Sequence, residues 1–109
     1  MSTGADAADR FIAWVSGEPA VTVRREGGVR TVLHGEVPIA TIAEGGELRM
    51  ALPPDVRPAI LRRYPAAEET PGGVRLLIRD DDSAAEARSL VERRIGVEAF
   101  GWQFRADGV

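Results

Sequence analysis

The 109-residue chain predicts an α+β fold: a mostly antiparallel sheet of five or six strands, in the order α-β-β-β-β-α-β-α, with its helices packed on one face. Three observations predict it. Apolar residues recur at helical spacing near the start, in the middle and near the end of the chain. Between the first two of these segments they alternate at period two. Glycine-bearing turns separate the alternating runs and are too short for the crossovers that parallel strands need. A single domain spans 1–109, and a chain of this length buries roughly two-thirds of its unfolded surface, enough for one core.

The elements follow in order. Thr3 is placed to cap a first helix, with Asp6 three residues on in capping-box spacing. Ala8, Phe11, Ile12 and Val15 form its apolar stripe, and Gly17 and Pro19 end it. Val21 and Val23 alternate with Thr22 and Arg24 in a first strand, closed by Gly27-Gly28. Val29 to His34 is a second strand and Val37 to Ala43 a third, with Pro38 marking a strand start, a bulge or an edge. Leu48, Met50 and Leu52 alternate in a fourth. Pro54 and Asp55 open a short helix to about Tyr64, with Pro58 in its first turn, where an N–H would be unpaired anyway. Pro65 to Gly73 is expected to be a loop. Val74, Leu76 and Ile78 make a fifth strand. Asp80-Asp81-Asp82-Ser83 then caps a last helix whose stripe is Ala87, Leu90, Val91 and Ile95, with Ser83 and Glu86 in capping-box spacing and Gly96 at its end. In the tail, 96–109, Phe100, Trp102 and Phe104 alternate with smaller or polar residues. Either it forms a sixth strand or it docks on another surface.

Composition narrows the function classes. The net charge is −3, which weighs against a chain whose main task is nucleic-acid binding. All fourteen basic residues are arginine. A GC-rich genome gives that bias, and so does a requirement for planar, five-donor recognition of carboxylate or phosphate. There is no cysteine, hence no disulfide and no thiolate metal site; a reducing, cytoplasmic location is expected. No basic, apolar signal segment opens the chain, and no window is apolar enough for a membrane span.

The inventory of chemistry is short. His34 is the one histidine, so no zinc set can be assembled around it, and no nucleophile-elbow pattern is present to supply a serine for Ser-His-Asp catalysis with His34 as base. The glycine pairs at 27–28, 45–46 and 72–73 lie between strand-like runs and make turns, not phosphate cradles. Asp80-Asp81-Asp82 lacks the spaced pattern of a calcium loop and reads as a helix cap. Glu68-Glu69 reads as a solvated acidic corner. No catalytic residue, metal or cofactor is expected.

Strand alternation points to the outer sheet face. With Val21, Val23, Val29, Thr31, Leu33, Val37, Ile39, Leu48, Met50, Val74, Leu76 and Ile78 turned to the helices, the other face carries Arg24, Arg30, Val32, His34, Ala40, Ile42, Arg49, Ala51, Arg75, Leu77 and Arg79. Apolar residues bordered by arginines have the composition of a contact surface. The candidate binding residues are therefore Arg24, Arg30, His34, Arg49, Arg75, Leu77 and Arg79. Cover by the aromatic tail is the alternative use of the same face.

Short motifs carry a family resemblance over about residues 8–95. They are Gly17-Glu18-Pro19-Ala20-Val21-Thr22-Val23, Val32-Leu33-His34-Gly35, Leu52-Pro53-Pro54-Asp55-Val56-Arg57 and Leu77-Ile78-Arg79-Asp80. In these the chain resembles the small bacterial luciferase-like domain proteins, a label that does not imply light emission. Its element order is also similar to the MmcQ/YjbR family, some of whose members are called DNA-binding. The luciferase-like family carries further histidines where this chain has Ala66-Ala67-Glu68, so the resemblance implies no catalytic residue here. The expectation is a non-enzymatic binding or interaction domain acting through the outer sheet face, on a protein partner or on a second copy of itself. A nucleic-acid-binding module using the sheet arginines is the alternative.

Overall fold

The computed structural model describes residues 4–100, with side chains for 6–96. The elements are α1 (Gly4–Ser16), β1 (Val21–Glu26), β2 (Val29–His34), β3 (Val37–Ala43), β4 (Glu47–Ala51), α2 (Arg57–Arg63), β5 (Ala67–Thr70), β6 (Gly73–Leu77) and α3 (Asp81–Phe100). The α+β class and the antiparallel sheet agree with expectation. The six strands run in the order β1-β2-β3-β4-β6-β5, every neighbouring pair antiparallel. After β4 the chain crosses through α2 to the far edge, lays down β5, and turns back so that β6 fills the place beside β4.

The sixth strand is β5, inside the stretch expected to be a loop. Only Ala67 of its four residues is buried, and Glu68-Glu69 breaks any apolar alternation, so no period-two signal marks it. It is held by pairing with β6, from Ala67↔Leu76 to Thr70↔Gly73. The helix expected to end at Gly96 instead runs on to Phe100. A Cβ on Gly96 would meet nothing within 4 Å. Gly96→Ala should therefore stabilise the protein by about 0.5–1 kcal/mol through helix propensity, readable as a higher denaturation midpoint at unchanged m. Of the tail expected over 96–109, residues 96–100 are helical and continue α3, not a strand; the remainder, with its expected strand or its cover of the sheet face, lies outside the described residues, as does the Thr3 cap.

One core lies between the sheet and the three helices. Ala7, Ala8, Phe11 and Val15 of α1, Ile60 of α2 and Ala87, Leu90 and Val91 of α3 pack against Val32, Ile42, Leu48, Met50, Val74 and Leu76. Each fully buried aliphatic or aromatic side chain contributes about 1.5–3 kcal/mol of transfer free energy. Polar contacts fix the layers. Arg93 Nε donates to Tyr64 Oη at 2.9 Å, and that hydroxyl lies 2.8 Å from Ser89 Oγ, joining α2 to α3. Arg10 pairs with Asp81 at 2.5 Å, and Arg88 stacks over Trp14 at 4.6 Å, joining α1 to α3.

The cap of α3 uses other residues than the Ser83/Glu86 spacing suggested. Ser83 N–H and its hydroxyl both donate to Asp80 Oδ1 at 2.8 Å, while the N–H groups of Arg79 and Asp80 donate to Ser83 Oγ at 2.9 and 3.1 Å. This is a reciprocal box with Asp80 as the cap. The Ser83 N–H, then its hydroxyl, hold the Asp80 carboxyl below its usual value of 3.8. A depressed folded pKa stabilises the fold above the unfolded value and loses that contribution as pH falls through the folded value. Asp80→Asn keeps a capping oxygen and abolishes the titration. Melting profiles of the two proteins should thus converge as pH falls below about 3.8; parallel profiles across that range would contradict this cap.

Candidate binding face

Residues directly opposite each other in neighbouring strands share a face, so the pairing register decides what each face carries. Gly27-Gly28 closes β1–β2 with Glu26 opposite Val29, which puts Val21 opposite His34 and Val23 opposite Val32. Val21 and Val23 pack on the core, so Val32, His34 and Arg30 point to the helix side with them. Between β2 and β3 the register shifts: Val32 faces Ala40 and Leu33 faces Pro38, leaving Ile39 as the extra residue of a bulge. The bulge lets Ile39 and Ala40 both be buried, and it puts Val37 on the helix side opposite His34, where it is nonetheless 42% exposed.

These facts correct the face expected from alternation. Val32, Ala40 and Ile42 belong to the core and are essentially buried. Arg30 lies on the helix side, half-buried, and donates to Asp9 of α1 at 2.9 Å. His34 lies on the same side at the end of β2, opposite Val21 and Val37. Conversely Val29, Thr31 and Leu33, expected on the helix side, lie on the open side by register, where Val29 is exposed, Leu33 half-buried and Thr31 buried among its neighbours. Arg24, Arg49, Ala51, Arg75 and Leu77 are on the open face as expected, with Arg79 exposed just beyond β6. The predicted binding set is therefore split: Arg24, Arg49, Arg75, Leu77 and Arg79 come together, whereas Arg30 and His34 do not join them.

The open face is organised in rows across the strands. One row runs Arg24, Thr31, Thr41, Arg49, Arg75, Glu68 through successive cross-strand partners. The next, two residues along each strand, holds Glu26, Val29 and Ala43, then Glu47 and Leu77. Glutamates sit beside the arginines. Glu47 Oε2 is 2.5 Å from Arg49 Nε, Glu68 Oε1 is 2.7 Å from Arg75 Nη2, and Glu26 Oε2 is 3.8 Å from Arg24 Nε. Glu68 first, and Glu47 after it, raise the Arg75 guanidinium above its usual pKa. Glu68 is thus a member of this surface and Glu69 pairs with Arg57, so the pair is no mere solvated corner. The apolar part of the surface is Val29 and Leu77, 39% and 46% exposed, both in the glutamate-bearing row.

A groove of about 500 Å³ opens where β3 leaves β4. The two strands pair at Thr41↔Arg49 and Ile42↔Leu48, while Pro38 and Ile39 veer off at the bulge. Ile39, Met50 and Val74 are among its lining residues, with Pro38, Pro71 and Arg49 around them. Among the described residues no three His, Cys, Asp or Glu side chains are placed to hold a metal ion, and no helix is long and apolar enough to cross a membrane.

Sequence reasoning missed Glu47, Glu68 and the exposed Val29. Glu68 stood in the sequence as half of an acidic pair and Glu47 as an acid near a turn, and nothing marked either as the partner of an arginine. Val29 was accessible from the hairpin itself: a two-residue turn at Gly27-Gly28 with Val21 and Val23 inside already requires Val32 inside and Val29 outside.

Comparison of the chain with protein-family models, with curated proteins and with solved structures gives no match.

Proposed function

We propose that this protein is a cytoplasmic, non-catalytic binding module whose open sheet face is the contact surface for another protein chain. The observation that carries this reading is the combination, on one sheet face that no described residue outside the sheet covers, of exposed Val29 and Leu77 with arginine–glutamate pairs and an adjoining groove. Apolar anchors within a polar, hydrogen-bonding surround are the composition of a protein–protein interface. Arginine contributes there through a stem that packs and a fork that pairs. The luciferase-like resemblance is retained as part of the proposal on its motifs, and it supplies no catalytic role.

Nucleic acid is the weaker occupant, because Glu26, Glu47 and Glu68 lie against the arginines that would meet phosphate. A photo-crosslinking residue at position 77, compared with one at exposed Glu92 on α3, tests the reading in cells. A protein adduct from position 77 that disappears with Arg49→Glu is the expected result. Adducts from position 92 alone would overturn it. So would duplex or single-strand binding at low salt that falls steeply as salt rises, the mark of phosphate contacts.

A further inference from the structure

We propose that the occupant of the open face is a second copy of this chain, seated face to face about a two-fold axis that runs along the rows, between the arginine row and the glutamate row. The inference rests on the reading of this face as a contact surface and names its partner.

The register carries it. Arg24 and Glu26 lie two residues apart on β1, and Arg49 and Glu47 lie two apart on β4, so each arginine and its glutamate occupy the same place along neighbouring rows. A half-turn about an axis between the rows keeps position along the row and exchanges one row for the other. Arg24 then stands over the partner's Glu26, and Arg49 over the partner's Glu47. The same operation lays the stem of Arg75 over the partner's Leu77, the exposed apolar residue of β6. Thr31 and Thr41 come over the partner's Val29 and Ala43. These are small or β-branched side chains, which allow two sheets to approach to the ~10 Å of face-to-face packing.

Charge complementarity selects self over another chain. A surface made for a basic or acidic partner carries one sign; here Arg24, Arg49 and Arg75 are matched by Glu26, Glu47 and Glu68. Arg75 and Glu68 share one row, but Arg24–Glu26 and Arg49–Glu47 straddle the axis, so one rotation superposes opposite signs at these two places. That is the self-complementarity an isologous two-fold interface requires. The existing pairs are exposed, so association completes them as four-membered networks without having to break them.

Sedimentation equilibrium of the full chain from about 1 µM to about 1 mM tests the proposal on four proteins. These are the natural chain, Glu47→Arg, Arg49→Glu, and the double variant in which both signs are exchanged. The expected result is a dimer that weakens as salt rises. Each single reversal should weaken it about tenfold or more, and the double variant should return to within a few-fold of the natural chain. All four should keep the same far-ultraviolet circular dichroism, since both positions lie on the surface. A chain that stays monomeric throughout overturns the second copy as occupant; a position-77 adduct to a different protein would then leave the contact-face reading standing. A dimer indifferent to both reversals overturns the row pairing. Hydrogen exchange that places the dimer's protection on α1 and α3 overturns both readings.

Discussion

Val32→Asp is expected to unfold the protein or lower its stability by about 4 kcal/mol or more, although alternation in β2 reads position 32 as outward. Val32 has no exposed surface and lies between Val23 and Ala40 in the sheet. A carboxylate there loses the valine's transfer free energy and places a charge at a site with no exposed surface, the combination behind the largest single-substitution effects. Leu77→Asp is the contrast. It places the same charge at a position 46% exposed, where the change in stability should stay within about 0.5 kcal/mol. Urea denaturation of the two variants gives the answer directly. Equal midpoints for both would mean that β2 presents its other side to the helices.

Gly73→Ala should be comparably damaging for a different reason. A Cβ at Gly73 would overlap the carbonyl oxygen of Met50 and stand 2.8 Å from Leu52 N and 2.9 Å from Ala51 Cα. All three are backbone atoms of or beside β4, so no rotamer change relieves the overlap and the β4–β6 ladder must move. Gly73 N–H also donates to Thr70 Oγ1 at 3.1 Å, which holds the turn between β5 and β6. The expected cost is about 3 kcal/mol, a large share of the ~5–15 kcal/mol that stabilises a domain of this size. It should appear as a melting temperature lower by roughly 10–20 °C. Gly72→Ala, whose Cβ meets nothing within 4 Å, should change it little. A melt of Gly73→Ala within about 2 °C of the natural chain would show that the strands are not held so closely.

The two substitutions mark what was legible in the sequence and what was not. Helix α1 was legible because Ala8, Phe11 and Val15 report the burial of a whole face, and β4 and β6 because Leu48 and Met50, Val74 and Leu76 are buried at alternate positions. The parity of β2 was not. Val29 and Leu33 outnumber Val32 in apolar residues, yet a hairpin's register is set by its turn, and here the turn outweighs the count. In β3 the bulge at Ile39 changes the parity midway, an event that leaves no mark in alternation beyond Pro38. Strand β5 was illegible because an edge strand with two glutamates draws its stability from pairing with β6, not from an apolar pattern. The candidate face was half legible. Arg24, Arg49, Arg75 and Leu77 alternate cleanly and were found, whereas their glutamate partners emerge only from cross-strand neighbours.

The cysteine-free chain allows the central claim, that the arginine–glutamate rows form the open face, to be tested with single thiols. The measurement is the rate of maleimide labelling of Leu77→Cys set against Ile42→Cys in the native protein. Leu77→Cys should react at nearly the rate of an unfolded thiol in dilute solution and slow as the protein is concentrated; Ile42→Cys, 1% exposed in the parent residue, should react only through unfolding. Fast labelling at position 42 with slow labelling at position 77 would reverse the two faces and contradict the account.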